Sequence, residues 1–282
     1  MIALLAVSLL WAFSFGLVKG LSGLDPTAVA LLRLAVSLVV FAPLLRPAAL
    51  GGAALRLALI GAVQFGAMYI FYIGSFAHLH AFEVALFTIT TPVFVALADA
   101  LLERRLAPRF FAAALLSVAG AGVVVWRSVG DTGVVGGFLL VQLSNLCFAA
   151  GQVAWRRARA AIPPGASDAS LFAVPLAGAL ALTLVVSLFS TDWRAFAPTP
   201  AQWASIAYLG AAATGLGFFL WNLGATRVNA GTLAAFNNAK IPLGIACSVL
   251  VFREHADLPR LLAGGAVMAA GVWVAGPPGR VS

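Results

Sequence analysis

Long apolar segments follow one another along almost the whole chain, separated only by short polar connections. A bilayer core of about 30 Å requires about 20 residues of helix to cross it. Of the 282 residues, 62% are hydrophobic and 9% are charged, whereas about a quarter of the residues of a soluble domain are charged. We therefore expect an all-α integral membrane protein, because lipid cannot satisfy the polar groups of an exposed, open backbone.

Ten of these segments have the length of a transmembrane helix. They lie at approximately 2–19, 26–45, 56–78, 81–101, 108–126, 133–155, 168–190, 201–224, 229–251 and 259–276. The connections between them are too short to hold a soluble domain. The sequence therefore predicts no nucleotide-binding engine and no extramembrane enzyme.

The basic residues of the connections predict the orientation in the membrane. One side receives ten of them, namely Arg46, Arg56, Arg104, Arg105, Arg109, Arg156, Arg157, Arg159, Arg227 and Arg280. The other side receives five, namely Lys19, Arg127, Arg194, Arg253 and Arg260. Because Lys and Arg are enriched in cytoplasmic loops, we expect both termini on the cytoplasmic side of the inner (cytoplasmic) membrane. Such clustering indicates membrane topology rather than nucleic-acid binding.

The two halves of the chain contain a weak internal repeat. TPVFVALADALLERRLAP (91–108) corresponds to IPLGIACSVLVFREHADLP (241–259), which pairs Pro92 with Pro242. Each copy holds five predicted spans, so the second copy must enter the membrane upside down relative to the first. We expect the repeats to cover 1–128 and 129–282, with a central cavity where they meet, as in secondary transporters built from inverted repeats.

The repeat segments, the LWAFSF start (10–15) and LLRLAVSLVVFAPLL (31–45) resemble the EamA-type transporters of the drug/metabolite transporter superfamily. The resemblance covers nearly the whole chain and extends to YddG-like bacterial amino-acid exporters. It implies ten helices, an inverted five-plus-five repeat and a cavity formed mainly by spans 1, 3, 4, 6, 8 and 9.

Lys240 lies about halfway along the ninth span. A basic side chain at that depth costs about 2.5–3.5 kcal/mol on insertion scales, so intramembrane cations generally face a cavity or a partner. Lys240 either anchors a substrate carboxylate or is bonded to backbone carbonyls or a neighbouring Asn. Asn237 and Asn238 immediately precede it and are candidate binding residues.

Two prolines mark equivalent points of the repeats and are candidate kink or gating residues. Proline removes one N–H and leaves the carbonyl four residues earlier without its helical partner. Pro92 does this to Thr88, next to Thr91, and Pro242 does it to Asn238. These groups either contribute to a midplane site or simply assist helix packing.

Several other polar or aromatic side chains fall at similar depth and are candidate binding residues. They are Trp11, Ser14, Gln64, Tyr69, Tyr72, Asn145 and Trp221. Packing between helices is the alternative role of each.

Arg33, inside the second span, is expected either to snorkel outward or to pair with an acidic group. Glu83 is expected either at a solvated loop end or as a cation-binding or proton-coupling group.

The sequence contains no HExxH, P-loop, Cys/His cluster or paired midplane carboxylates. We therefore expect no enzyme activity, catalytic residue, cofactor or metal site. The expected function is a secondary transporter, functional as a monomer in the lipid bilayer, that moves amino acids or similar small metabolites by alternating access. Other carried classes, such as a carboxylate, nucleotide-sugar, drug or vitamin-like compound, stay open, as does a channel.

Overall fold

The computed structural model describes residues 2–46, 51–102, 108–124, 132–163, 165–228 and 230–275, and these residues form helices and short connections without any strand. The helices, numbered in chain order, are α1 (Ile2–Lys19), α2 (Pro26–Phe41), α3 (Ala54–Ser75), α4 (Ala81–Leu102), α5 (Pro108–Val124), α6 (Thr132–Ala160), α7 (Asp168–Ser190), α8 (Pro200–Ala225), α9 (230–251) and α10 (Leu258–Ala275). Their ends agree with the predicted segments to within a few residues. The predicted boundary between the repeats, at 128 and 129, lies outside the described residues.

Seven of the described helices, α1 to α4 and α6 to α8, are long and apolar enough to cross a membrane. Shorter apolar helices cover Leu115–Val124, Phe236–Val251 and Leu258–Val274, within α5, α9 and α10. The all-helical membrane fold is thus confirmed at this level. Large exposed apolar side chains such as Phe189 and Trp273 cover the outside of the bundle, as expected for a surface that faces lipid.

The helix starts follow local sequence signals. Asp25 accepts a hydrogen bond from the Ala28 backbone N–H at 2.8 Å, and Pro26 occupies the first turn of α2. At α8, Thr199 and Gln202 form a reciprocal capping box in front of the helix. Such caps satisfy backbone N–H groups that have no partner within the helix. They explain why short polar connections suffice to separate the helices.

The helices around the centre of the bundle are irregular. α3 contains a π-helical turn at Ala62–Ala67, α8 one at Leu209–Leu216 and α9 one at Cys247–Val251. α4 contains a 3₁₀ turn at Thr88–Thr90, which ends two residues before Pro92. Such irregularities often occur at functional sites, because they redirect backbone groups and side chains. They therefore draw attention to the space between these helices.

Candidate binding cavity

A central cavity lies between α1, α2, α3, α4, α6, α8 and α9. Eight of the predicted binding residues line it, namely Trp11, Ser14, Tyr69, Tyr72, Thr88, Thr91, Asn145 and Lys240. The lining residues not predicted as binding residues are Phe15, Arg33, Met68, Ser144, Phe148 and Phe218. All six helices that the family resemblance implied contribute residues to the cavity lining, and Arg33 adds a seventh helix, α2.

Lys240 is 7% exposed, lines the cavity and is bonded to a neighbouring asparagine. Its Nζ donates to Asn237 Oδ1 at 3.2 Å, and Asn237 Nδ2 donates to Asn238 Oδ1 at 3.2 Å. The ammonium also lies 4.9 Å from the ring centroid of Trp11, on the cavity wall. Asn237 and Asn238 therefore orient the lysine without lining the cavity themselves. An ammonium has three N–H donors, so Lys240 retains capacity for a ligand.

The Thr88 carbonyl, which Pro92 was predicted to leave without a helical partner, accepts the Thr91 backbone N–H in a 3₁₀ turn. The Thr91 hydroxyl donates to the Thr88 carbonyl oxygen at 2.8 Å. Thr91 also approaches Asn145 Oδ1 at 3.2 Å, while Asn145 Nδ2 donates to the Phe87 carbonyl and to Thr90 Oγ1. Both N–H donors of Asn145 are thus used within the protein. These residues hold α4 against α6 and form a polar wall of the cavity.

Trp11 stands at the centre of an aromatic cluster. Its indole Nε1 donates to the Ala213 carbonyl at 2.9 Å, inside the π-helical turn of α8. Its ring packs on Phe218 and Trp221, with centroids 5.4 and 5.2 Å away. Phe218 in turn packs on Tyr69 at 5.5 Å. These rings give the cavity an apolar wall beside its charged groups.

Besides Asn237 and Asn238, two further predicted binding residues, Gln64 and Trp221, lie beyond the cavity lining in this structure. Gln64 Nε2 donates to Asn222 Oδ1 at 3.0 Å and so joins α3 to α8. Trp221 Nε1 donates to Gln152 Oε1 at 2.9 Å and joins α8 to α6. Pro92 and Pro242 lie in α4 and α9 and are likewise not among the lining residues.

Arg33 lines the cavity but was not among the predicted binding residues. It is 2% exposed, so the expectation that it snorkels outward is wrong. Its Nε donates to Thr214 Oγ1 at 3.2 Å, and its Nη2 donates to the Tyr69 hydroxyl at 2.9 Å. In the part of the chain that the structure describes, it makes no ion pair with an acidic residue. Its position inside a span was the available signal, since intramembrane charges mark functional sites.

The charged side chains that line the cavity, among the described residues, are both basic. Lys240 and Arg33 both line it, and the described lining includes neither Asp nor Glu. A cationic ligand would be repelled there, whereas an anionic group would meet donors that are already desolvated. Charge-assisted hydrogen bonds of this kind are about twice as strong as neutral ones.

Both ends of α4 are tied to residues from the second half of the chain. At its beginning, the carboxylate of Glu254 accepts the backbone N–H groups of Ala81 and Phe82 at 3.0 and 3.2 Å. Near its other end, Asp99 lies 3.7 Å from Arg157 of α6. Glu83 accepts the His80 backbone N–H at 2.8 Å as part of the cap of α4.

Comparison with known proteins gives consistent results. The sequence profile described as the EamA-like transporter family matches residues 1–126 and again 135–276. A "Probable biotin transporter" of Pseudomonas aeruginosa is 43% identical over 279 residues, which cover 96% of each chain. The "Biotin transporter" proteins of Salmonella typhimurium and Escherichia coli are 36% and 34% identical, and the matches cover 97% of this chain and 92% of theirs. A solved crystal structure with a TM-score of 0.67 and 20% identity covers 97% of this chain and 96% of its own, and shares the fold.

Proposed function

Because the chain belongs to the EamA-like transporter family, and is thus a multi-pass membrane transporter rather than an enzyme, we propose that it carries a small carboxylate with a ring system, and biotin first of all, across the inner (cytoplasmic) membrane. The observation that carries this proposal is the buried, cationic cavity around Lys240. The names of the relatives, which are 34–43% identical over most of the chain, supply the candidate.

The chemistry of biotin fits the two kinds of surface in the cavity. Its carboxylate would accept a charge-assisted hydrogen bond from Lys240 Nζ. Its bicyclic ring and alkyl chain would pack on Trp11 and Phe218, whose faces line the cavity. Burial of such apolar surface contributes roughly 25 cal/mol per Å². The aromatic wall thus contributes affinity, and the lysine selects an acid over a neutral analogue.

Amino acids, the substrate class expected from the sequence, fit this charge distribution less well. The ammonium of a zwitterion would have to lie in a cavity that already contains Lys240 and Arg33 and whose described lining has no carboxylate. The Asn145 amide, which could have met that ammonium, is engaged with Thr90, Thr91 and Phe87. Amino-acid transport is therefore an alternative outcome of the test rather than the proposal.

The proposed architecture is the one predicted from the repeat. Ten membrane-spanning helices form two inverted halves, 1–128 and 129–282, in a monomer with both termini in the cytoplasm. The two separate profile matches support related halves. So do the π-helical turns of α3 and α8. They fall in IGAVQFGAMYIFY (60–72) and LGAAATGLGFFLW (209–221), two segments of equal length that pair in the repeat. Alternating access would then proceed by rocking of one half against the other around the cavity.

The contacts at the two ends of α4 support this mechanism. Glu254 and Arg157, both from the second half, contact opposite ends of a helix from the first half. Release of one contact while the other is kept would open one end of the cavity at a time. The substrate would thereby be exposed to one side of the membrane and then to the other.

The test is counterflow of labelled biotin in proteoliposomes, with amino acids, lipoate and a nucleotide-sugar as competitors. We expect saturable uptake that biotin inhibits best. Lys240→Ala should raise the apparent KM by about 10- to 100-fold, since a hydrogen bond to a charged group contributes about 1.5–3 kcal/mol. Arg194→Ala, which removes an exposed cation from a connection, is the charge-matched control and should behave as the parent. Preferred inhibition by amino acids, or an unchanged KM for Lys240→Ala, would contradict the proposal.

A further inference from the structure

The cavity contains two buried cations that contact different parts of its aromatic wall. Lys240 Nζ lies over the ring of Trp11 at 4.9 Å, and Arg33 Cζ lies over the ring of Tyr69 at 4.3 Å. Trp11 and Tyr69 each pack on Phe218, which lies between them in this series of contacts. The hydrogen bonds of the cations go to Asn237 in one case, and to Thr214 and Tyr69 in the other. The two cations therefore contact different rings and share no hydrogen-bond partner among the described residues.

The guanidinium of Arg33 is held in place by neutral groups. Nε and Nη2 donate to the hydroxyls of Thr214 and Tyr69, which are themselves 2.8 Å apart. The remaining nitrogen, Nη1, is buried and has no hydrogen-bond partner among the described residues. Leaving a buried charged donor unsatisfied is unfavourable. A ligand oxygen next to Nη1 would remove that penalty.

The arrangement suits a neutral oxygen acceptor better than a second carboxylate. Two of the three guanidinium nitrogens are already engaged, so the fork that binds a carboxylate through two parallel bonds is partly occupied. Lys240, with only Asn237 as a hydrogen-bond partner among the described residues, has more donors left for a full negative charge. A single carbonyl oxygen can accept from Nη1 alone.

We propose that Arg33 forms a second binding subsite, which takes the carbonyl oxygen of a neutral urea or amide group at the end of the substrate remote from the carboxylate bound by Lys240. This inference rests on the proposed function and deepens it. Trp11, Phe218 and Tyr69 would contact the apolar part between the two polar ends. The cavity would thereby select molecules that carry a carboxylate and a carbonyl at a suitable separation.

The experiment compares three ligands as inhibitors of labelled-biotin binding and counterflow. Biotin has both the carboxylate and the cyclic urea, biotinol replaces the carboxylate by an alcohol, and lipoate has the acid chain but no urea. In the parent protein biotin should be preferred over both analogues. Arg33→Gln should reduce the preference for biotin over lipoate by about 10-fold or more and keep the preference for biotin over biotinol. Lys240→Gln should reduce the preference for biotin over biotinol and keep the preference for biotin over lipoate.

Two further variants separate recognition from folding. Arg33→Lys keeps the positive charge but replaces the fixed fork by a single ammonium, and should lose the biotin-over-lipoate preference as Arg33→Gln does. Tyr69→Phe keeps the ring that packs on Phe218 and removes the hydroxyl that orients Arg33, so it should shift the same ratio by a smaller factor. Thermal unfolding of each variant checks that it is folded.

The outcomes distinguish this inference from the function on which it rests. If the parent protein binds biotin but Arg33→Gln weakens all three ligands by the same factor, Arg33 only holds the helices together and the subsite is refuted. If Arg33→Gln instead removes the preference for biotin over biotinol, Arg33 binds the carboxylate and the assignment of the two ends is reversed. A parent protein that binds neither biotin nor its analogues refutes the proposed function, and the subsite with it.

Discussion

Lys240 illustrates at the residue scale how a membrane protein can keep a charge where lipid disfavours it. The side chain is 7% exposed, and its described neighbours are an amide and an indole ring rather than a carboxylate. A cation–π contact contributes about 2 kcal/mol when desolvated, which offsets only part of the penalty of burial. The lysine is therefore expected to serve binding at the expense of stability.

This view predicts that Lys240→Met stabilises the protein while it impairs transport. Replacing a buried charged group by an apolar one of similar volume is often neutral or stabilising. We expect the melting temperature in detergent to stay the same or rise, and biotin counterflow to fall at least 10-fold. Leu4→Ala, which truncates a fully buried apolar residue of α1, should lower the melting temperature, since such truncations cost about 2–5 kcal/mol. A comparable loss of stability in Lys240→Met would mean that the lysine is structural.

The sequence predicted which polar residues lie within the spans, but not which partners they bind. A lysine or asparagine in the middle of an apolar span is conspicuous on its own, because lipid offers it no partner. The satisfaction of Asn145 by Thr90, Thr91 and Phe87 could not be predicted, because it depends on how two helices are rotated about their axes. Gln64 was expected at the site for the same reason as Asn145, yet its rotation directs it to Asn222.

At the scale of elements, the end of α9 positions a contact with the beginning of α4. Arg253, two residues after the last residue of α9, has a positive φ of 55°, and the Glu254 N–H donates to the Ser248 carbonyl at 3.0 Å. A residue with a left-handed backbone conformation commonly ends a helix and changes the direction of the chain. The carboxylate of Glu254 thereby reaches the first N–H groups of α4, where the helix dipole favours a negative charge.

Glu254→Ala should therefore favour opening at the beginning of α4. Removal of a helix N-cap costs about 0.5–2 kcal/mol, so the open population should increase by about 2- to 30-fold. The measurement is the rate at which a thiol reagent modifies Leu79→Cys, a buried position near this end, after Cys147 and Cys247 have been replaced by Ala. Asp99→Asn weakens the contact at the opposite end of α4 and should leave this rate unchanged or lower it. A higher modification rate in both variants would contradict the view that the contacts at the two ends of α4 act independently.

Packing between α5 and α10 yields a second prediction at this scale. A Cβ at Gly120 would lie 2.6 Å from the Gly264 carbonyl oxygen, whereas a Cβ at Gly122 would meet no atom within 4 Å. Gly120→Ala should therefore destabilise the protein by about 1–3 kcal/mol through overpacking. Gly122→Ala, on the same helix, should be neutral or slightly stabilising because alanine favours helix. Thermal unfolding checks both variants, and equal effects would contradict the close contact.

At the scale of the whole molecule, the proposed arrangement of two inverted halves makes a topological prediction. The connections after α1 and after α6 are separated by five helices and should lie on opposite sides of the membrane. In the cysteine-free protein, Gly23→Cys should react with an impermeant thiol reagent in intact cells, and Gly165→Cys only after lysis. Both positions are in connections and exposed. Labelling of both positions from the same side would contradict five intervening spans.

The amino-acid sequence alone predicts a helical membrane protein, the ends of its helices to within a few residues, and a lysine near the middle of the ninth helix. These properties are local, because hydropathy, helix length and caps depend on neighbouring residues and on the solvent being lipid. The packing of the helices, in contrast, brings Arg33 to Tyr69 and Thr214 at the cavity wall and directs Gln64 and Trp221 to partners outside it. Those outcomes depend on the rotation and approach of helices far apart in the chain, which no single segment specifies.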